Sequence, residues 1–289
     1  MWEFDYYRPK TVHELKENLS QPGAVVLAGG TDIIPKMRQR KFTPTILVDT
    51  SGIPDLEFIE DQGEQVVIGA LTTHQQMAQS ELIGDVNPAL KAAVESIGCI
   101  QTRCQGTLGG NLANASPAAD TVPALLIYDA SILIQSLEGE RTIPLESFVL
   151  GPGKTDLRQG EFIHSVSFPR LKERWGAAFI KVGKRTGMAI SVVNTAAALI
   201  LDQEGVISDA RIALGAVGSV VIRCRQTENF LSGKIPGKDL FTEAGSLVRE
   251  EMRPISDIRS TVDYRLHSAS VILTRALETA AFEAERRNQ

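Results

Sequence analysis

The stretch Ala24-Val25-Val26-Leu27-Ala28-Gly29-Gly30-Thr31-Asp32 decides how the first part of the chain folds. The apolar run Ala24 to Ala28 predicts a short buried strand, and the two glycines predict a tight turn into a helix over Ile33 to Arg40. Such a turn can bind an anion, because glycines let backbone N–H groups approach a phosphate and the start of the helix adds a partial positive charge. The alternative is a strand-to-helix turn that binds nothing.

A second loop, Thr107-Leu108-Gly109-Gly110-Asn111-Leu112-Ala113-Asn114, repeats the pattern of a hydroxyl, paired glycines and a polar residue. Two such loops can clamp one pyrophosphate from both sides. Neither loop fits G-x-G-x-x-G or G-x-x-x-x-G-K-[ST], so the sequence does not support a Rossmann fold or a nucleotide hydrolase. The residues themselves permit a diphosphate ligand without naming it.

The composition of the chain restricts its class. Its 289 residues are 43% hydrophobic, which predicts two or three packed units, and its formal charge of −5 argues against nucleic acid as a partner. The most apolar long stretch, Met188 to Leu201, contains polar residues and is too short to cross a bilayer, so we interpret it as a buried strand. The N-terminus lacks a secretion signal, and an odd count of three cysteines is typical of a reducing compartment. We therefore expect a cytoplasmic protein.

Alternating strand and helix patterns predict how the chain divides. We expect a first domain over residues 1–170, with α/β subdomains at about 1–55 and 56–170. Residues 131–137 and 141–143 flank Glu138-Gly139-Glu140 as a predicted hairpin, and Pro169 ends the strand that begins at Phe162. Residues 171–289 predict a separate α+β domain, in which strands are followed by helices.

The glycine loops resemble a known family. Ala28-Gly29-Gly30-Thr31-Asp32 and Thr107-Leu108-Gly109-Gly110-Asn111, followed by Ala115-Ser116-Pro117-Ala118-Ala119-Asp120, are similar to the two FAD motifs in the medium subunits of molybdenum hydroxylases, such as carbon monoxide and bacterial xanthine dehydrogenases. The similarity extends to Gly151-Pro152-Gly153-Lys154, Glu161-Phe162-Ile163 and Phe179-Ile180-Lys181. It implies an α+β fold: a vanillyl-alcohol-oxidase-type FAD-binding domain of two α/β subdomains and a C-terminal domain of carbon monoxide dehydrogenase flavoprotein type, which closes over the flavin.

The resemblance also implies which residues bind FAD. Asp120 would bond the adenosine ribose, although it could also be a helix N-cap, and the two roles are compatible. Phe162, Ile163 and Lys181 would lie near the flavin, although Lys181 could instead be a solvated strand residue. The expected cofactor residues are Val26, Leu27, Ala28, Gly29, Gly30, Thr31, Asp32, Thr107, Leu108, Gly109, Gly110, Asn111, Asn114, Asp120, Phe162, Ile163 and Lys181.

Histidines and cysteines carry no predicted chemistry of their own. None of His13, His74, His164 and His267 falls in a glycine loop, so we expect noncovalent FAD and assign the histidines surface or packing roles. Cys99 and Cys104 cannot complete an iron-sulfur or zinc site, and we interpret them as small buried thiols. No metal site and no catalytic motif is predicted.

The resemblance implies an electron-transfer function. A large molybdopterin-binding subunit would oxidise the substrate, a small subunit with [2Fe-2S] clusters would relay the electrons, and this chain would pass them through FAD to NAD or another acceptor. Many relatives carry an acidic residue after the flavin-proximal lysine, where this chain has Arg185-Thr186-Gly187-Met188, so its acceptor could differ. A free-standing FAD oxidoreductase and a flavin-holding assembly subunit without turnover are the alternatives.

Overall fold

A computed structural model describes residues 3–171 and 174–287 of the chain. Its strands are β1 (Asp5–Tyr7), β2 (Ala24–Leu27), β3 (Ile46–Asp49), β4 (Ile59–Asp61), β5 (Gln65–Gly69), β6 (Ser131–Gln135), β7 (Glu140–Pro144), β8 (Val149–Gly151), β9 (Lys154–Thr155), β10 (Phe162–Pro169), β11 (Trp175–Val182), β12 (Val193–Leu201), β13 (Ile207–Gly215) and β14 (Ile222–Arg223). Its α-helices are α1 (Val12–Leu19), α2 (Ile33–Arg38), α3 (His74–Gln79), α4 (Glu81–Val86), α5 (Pro88–Glu95), α6 (Ile100–Gln105), α7 (Leu108–Ala113), α8 (Thr121–Leu126), α9 (Leu145–Phe148), α10 (Arg225–Leu231), α11 (Lys238–Leu247) and α12 (Val262–Arg286).

The first sheet is parallel, with strand order β1-β3-β2, and it carries the first glycine loop at the end of β2. A small core that includes Leu15, Leu19, Val48 and Phe162 packs beneath it. Parallel strands need crossover connections, which α1 and α2 supply here. The loop after β2 therefore leaves the sheet at its carboxyl end, where ligands bind in many α/β units.

The second sheet is antiparallel, with strand order β4-β5-β10-β6-β7, and it includes the predicted hairpin of β6 and β7. Helices α3 to α8 lie between β5 and β6 in the chain, and all of them except α6 contribute residues to its core. Their starts are encoded locally, since the Thr73 side chain caps α3 in a capping box with Gln76 and Asn87 caps α5 ahead of Pro88. The second glycine loop begins α7, capped by Thr107.

The third sheet, with order β11-β12-β13-β14, is antiparallel and buried on both faces. One set of its residues, including Ala197 and Leu199, packs with the helices α11 and α12, while Trp175, Ala196 and Ala198 belong to the core of the second sheet. The alternation of strand side chains produces these two faces. The C-terminal strands are thereby fixed against the unit that carries the second glycine loop, and the predicted α+β fold class is confirmed. The division at residue 170 stays a prediction.

Two local predictions were wrong. Only Val193–Leu201 of the apolar stretch 188–201 is strand; Met188 adopts a left-handed conformation with φ 50°, and Met188 and Ile190 are exposed in the turn before β12. Cys104 is exposed and Cys99 half-buried, because the short helix α6 buries none of its residues. Among the described residues, none of the helices combines the length and apolar character required to cross a membrane.

Candidate functional site

A cavity of about 770 Å³ opens between the two glycine loops and the start of β10. This volume falls in the range of about 300–1,000 Å³ that is usual for ligand and cofactor sites. Most of the expected cofactor residues line it, although they come from both parts of the first domain. These are Val26, Ala28, Gly29, Gly30, Thr31, Asp32, Thr107, Gly109, Gly110, Asn111, Asn114, Phe162 and Ile163.

The first loop presents unpaired backbone donors to this cavity. Among the described residues, the N–H groups of Gly29, Gly30, Thr31 and Asp32 have no hydrogen-bond acceptor. Gly30 supports this conformation with a φ of 72°, which a residue with a side chain rarely adopts. Successive N–H groups in such a turn form a concavity that binds anions.

Gly29 has a different role: it allows the first loop to pack against the backbone just before the second loop. A Cβ on Gly29 would lie 1.6 Å from the carbonyl oxygen of Gln105, at the end of α6. Only glycine fits there, and the contact brings the first loop against the segment that leads into the second loop. The glycine pair therefore combines one packing residue with one residue whose conformation exposes the N–H groups.

The second loop contributes space and side chains instead of free N–H groups. The N–H groups of Leu108 and Gly109 donate to Thr72 O and Ala70 O, and that of Gly110 donates to the Thr107 hydroxyl. A Cβ on Gly110 would meet only Thr107 Oγ1 at 3.0 Å and Ala28 Cβ at 3.8 Å, so the cavity side of this residue is bare. The sequence predicted two equivalent loops, but in the structure the first loop supplies free N–H groups and the second supplies space and side chains.

Asp120 and Lys181 do not line the cavity. Their side chains form an ion pair with each other and are 8% and 11% exposed, respectively. Lys181 Nζ lies 2.6 Å from Asp120 Oδ2 and also donates to Ser96 O at 3.1 Å. The other carboxylate oxygen accepts hydrogen bonds from Ser191 (2.5 Å) and Asn194 (2.7 Å). This network joins the start of α8 to the C-terminal sheet.

The N-cap interpretation of Asp120 was wrong. Asp120 occupies the cap position of α8, but its side chain makes no capping hydrogen bond because both oxygens point to the C-terminal strands. Leu27 and Leu108 also lie outside the cavity lining; Leu108 is fully buried in the core. The cofactor roles of Asp120, Lys181, Leu27 and Leu108 stay predictions, as do those of the residues that line the cavity.

Of the polar cavity residues that sequence reasoning missed, three bear on the chemistry of the site. Lys36 forms an ion pair with Asp32 and donates to Asn114 Oδ1 at 2.9 Å, linking the two loops. Arg158 reaches the rim, and its guanidinium has no hydrogen-bond partner among the described residues. Lys36 follows Asp32 by four residues, a spacing that could have indicated their ion pair. No pattern in the sequence around Arg158 indicates a site.

The third missed residue is His74, the first residue of α3, which is only 3% exposed and lines the cavity. Burial, with a contribution from the Arg103 cation, lowers the pKa of His74 to about 4, so its imidazole is neutral at pH 7. The surface or packing role expected of the histidines stays a prediction for His74, which also borders the cavity. His164, on β10, lies outside the cavity lining and bonds the Ser165 hydroxyl.

Two comparisons of sequence agree on the relationship of this chain. The family described as "FAD binding domain in molybdopterin dehydrogenase" matches residues 2–171, and the "CO dehydrogenase flavoprotein C-terminal domain" matches residues 178–280. The 6-hydroxypseudooxynicotine dehydrogenase complex subunit alpha of Paenarthrobacter nicotinovorans is 33% identical, covering 97% of this chain and 95% of that protein. The xanthine dehydrogenase FAD-binding subunit of Escherichia coli O157:H7 is 31% identical, covering 98% of both.

A comparison of structures gives the same result. Carbon monoxide dehydrogenase from Hydrogenophaga pseudoflava superposes with a TM-score of 0.92 at 30% identity, covering 96% of this chain and 97% of that one. The predicted family and the FAD cofactor are confirmed. With both of its parts matched to flavoprotein domains and the two glycine loops facing one cavity, the chain belongs to the family of FAD-binding subunits of molybdenum hydroxylases.

Proposed function

We propose that this chain is the electron-transfer subunit of a molybdenum-dependent dehydrogenase and holds its FAD noncovalently in the cavity between the glycine loops. Electrons would arrive from the [2Fe-2S] clusters of a small partner subunit, after substrate oxidation in a large molybdopterin-binding subunit, and would leave to NAD or another acceptor. The chain would work in the cytoplasm, consistent with cysteines that form no disulfide among the described residues.

The observation that carries the proposal is the first loop with its unpaired N–H groups beside the bare surface of Gly110. A diphosphate carries negative charge and offers many acceptor oxygens, which suits N–H groups that lack a protein acceptor. Arg158 on the rim adds a cation whose guanidinium makes no hydrogen bond among the described residues, although Glu161 lies near enough to interact with its charge, whereas the charge of Lys36 is offset by Asp32. The residues present therefore fit FAD.

The chain positions the cofactor and controls its surroundings. Bound FAD supplies a group that can exchange electrons singly and in pairs. The N–H groups of Gly29 to Asp32 would hold the diphosphate, and apolar lining residues such as Phe42 and Phe162 would exclude water from the bound cofactor. The buried pair of Asp120 and Lys181 keeps the C-terminal sheet in place beside this site.

The test is isolation of the tagged full-length chain from its native cells. Co-purification of molybdenum, iron and two further subunits, with flavin bleaching on addition of the substrate of the complex, supports the electron-transfer role. Reoxidation by NAD, compared with a dye, then identifies the acceptor. A lone yellow protein that a small donor reduces directly would instead make the chain a free-standing oxidoreductase, and a flavin that never changes redox state would make it an assembly subunit.

A further inference from the structure

The imidazole of His74 is a buried polar group without a partner. The backbone holds it firmly, since the Thr73–Gln76 capping box fixes the start of α3 and His74 N donates to Gly106 O at 2.9 Å. The ring packs over Gly106, where an added Cβ would lie 3.0 Å from His74 Cδ2. His74 is therefore placed directly beside the second glycine loop, in the cavity wall with Ile97 and Thr102.

Neither ring nitrogen of His74 has a hydrogen-bond partner within residues 3–171 and 174–287, and Nδ1 is fully buried. Buried polar groups are almost always paired, because an unpaired one forfeits the hydrogen bonds it made to water. The described residues offer the His74 ring no hydrogen bond to replace those it would make to water, although they hold the His74 backbone firmly. Nδ1 is buried too deeply to reach the cavity, whereas Nε2 is not fully enclosed and lies beside Gly106 in the cavity wall, so a partner from the cavity would meet Nε2.

We propose that His74 contacts the cofactor, with its imidazole hydrogen-bonded to the FAD in this cavity. The inference deepens the proposed function and rests on it. A neutral imidazole offers one donor and one acceptor, so it matches either a carbonyl, ring nitrogen or N–H of a flavin or a hydroxyl of the ribityl chain. Because the depressed pKa keeps the ring uncharged, the contact contributes direction and affinity without adding a cation.

Two variants separate a cofactor contact from a packing role. His74→Leu replaces the ring with an apolar side chain of similar size, and His74→Gln retains a polar atom near the position of Nε2. A cofactor contact predicts that His74→Leu leaves the FAD-free chain as stable as the wild type or more stable, because an unpaired polar group has been removed. His74→Leu should bind FAD about tenfold more weakly, and His74→Gln should recover much of that affinity.

The measurement uses the full-length chain, stripped of flavin and titrated with FAD while protein fluorescence and the flavin spectrum are followed. His164→Leu is the matched control, since His164 is half-buried nearby but does not line the cavity. A shift in flavin reduction potential in His74→Leu would place the contact on the flavin ring, and an unchanged potential with weaker binding would place it elsewhere on FAD.

Unchanged FAD affinity in His74→Leu overturns the inference, as does an FAD-free His74→Leu protein that is markedly less stable than the wild type, which would show a packing role. If His74→Leu does not fold, His74→Asn decides the question, because its shorter amide does not reach the position of Nε2: wild-type FAD affinity in His74→Asn would also overturn the inference. A wild-type chain that binds no FAD contradicts the proposed function itself, so the two failures are distinguishable.

Discussion

Replacing Lys181 with Met should destabilise the contact between the FAD-binding part and the C-terminal sheet. The substitution removes the Nζ group that lies 2.6 Å from Asp120 Oδ2, in a pair whose side chains are at most 11% exposed. Asp120 would keep its bonds from Ser191 and Asn194 on one oxygen, but the other oxygen would remain buried without its cation.

The magnitude follows from this geometry. Breaking a buried ion pair by removing one partner costs about 3–5 kcal/mol. The two remaining hydrogen bonds to the carboxylate place Lys181→Met near the lower limit, at about 3 kcal/mol. Asp120→Asn leaves an ammonium group that still donates to Ser96 O and should cost about 2 kcal/mol. The double variant contains no unpaired charge. Its loss of unfolding free energy should therefore be about 2 kcal/mol smaller than the sum of the losses in the two single variants.

The assay is urea unfolding followed by the fluorescence of Trp175, at the start of β11, with Trp2→Phe as a common background. Arg170→Met is the control, because the Arg170–Asp61 pair is as short, at 2.5 Å, but 36% and 44% exposed. Its removal should cost less than about 1 kcal/mol. Free energies of Lys181→Met and Asp120→Asn that simply add in the double variant would refute the energetic coupling, and with it the idea that this network holds the sheet in place.

The remaining predictions concern the cofactor and pH. Gly110→Leu should abolish FAD binding but preserve folding, as measured by flavin content and circular dichroism. The control Gly187→Leu, where an added side chain meets open space, should retain full flavin. A yellow Gly110→Leu protein would contradict the placement of the diphosphate. Acid precipitation should release intact FAD into the supernatant, and colour that stays with the pellet would disprove noncovalent binding. Lys181→Met should lower the flavin reduction potential in spectroelectrochemical titration, since Asp120 is left as a nearby uncompensated anion, and an identical potential would remove any tuning role for Lys181. The FAD-free chain should lose about 2 kcal/mol of stability from pH 7 to pH 5 through His74, because its pKa is 6.5 when unfolded and about 4 when folded, so only the unfolded chain gains the proton. His74→Leu should lack this share of the pH dependence in urea titrations, and equal slopes for both proteins would contradict the depressed pKa.

Much of the fold was readable from local patterns. The apolar run before Gly29, the alternation that begins at Phe162 and the turn at Glu138-Gly139-Glu140 all depend on residues within a few positions of each other, and the structure has a strand or hairpin at each. The period of apolar residues and the chemistry of turns and caps are short-range properties, which is why a sequence records them. The pair of glycine loops likewise sufficed to predict the family and FAD.

The sequence could not determine which residues meet across the chain. Asp120 looked like a helix cap because its neighbours are those of a helix start, but its partners are Ser191 and Asn194, just before and within β12, 71 and 74 residues away in the chain. Cys104 looked buried as most cysteines are, yet α6 lies on the surface. Each of these outcomes depends on what packs against the residue, and that information is distributed over distant segments.

The candidate site shows the same division. By itself, the sequence determined the two glycine loops, because glycine is required wherever a backbone N–H approaches an anion or another backbone, and that requirement leaves a visible motif. Only the tertiary structure decided that Gly29 packs on Gln105 while Gly110 faces the cavity, and that His74 stands unpaired in the cavity wall. Burial and pairing are properties of the whole packed chain, and a single histidine in a helix carries no local pattern that could reveal them.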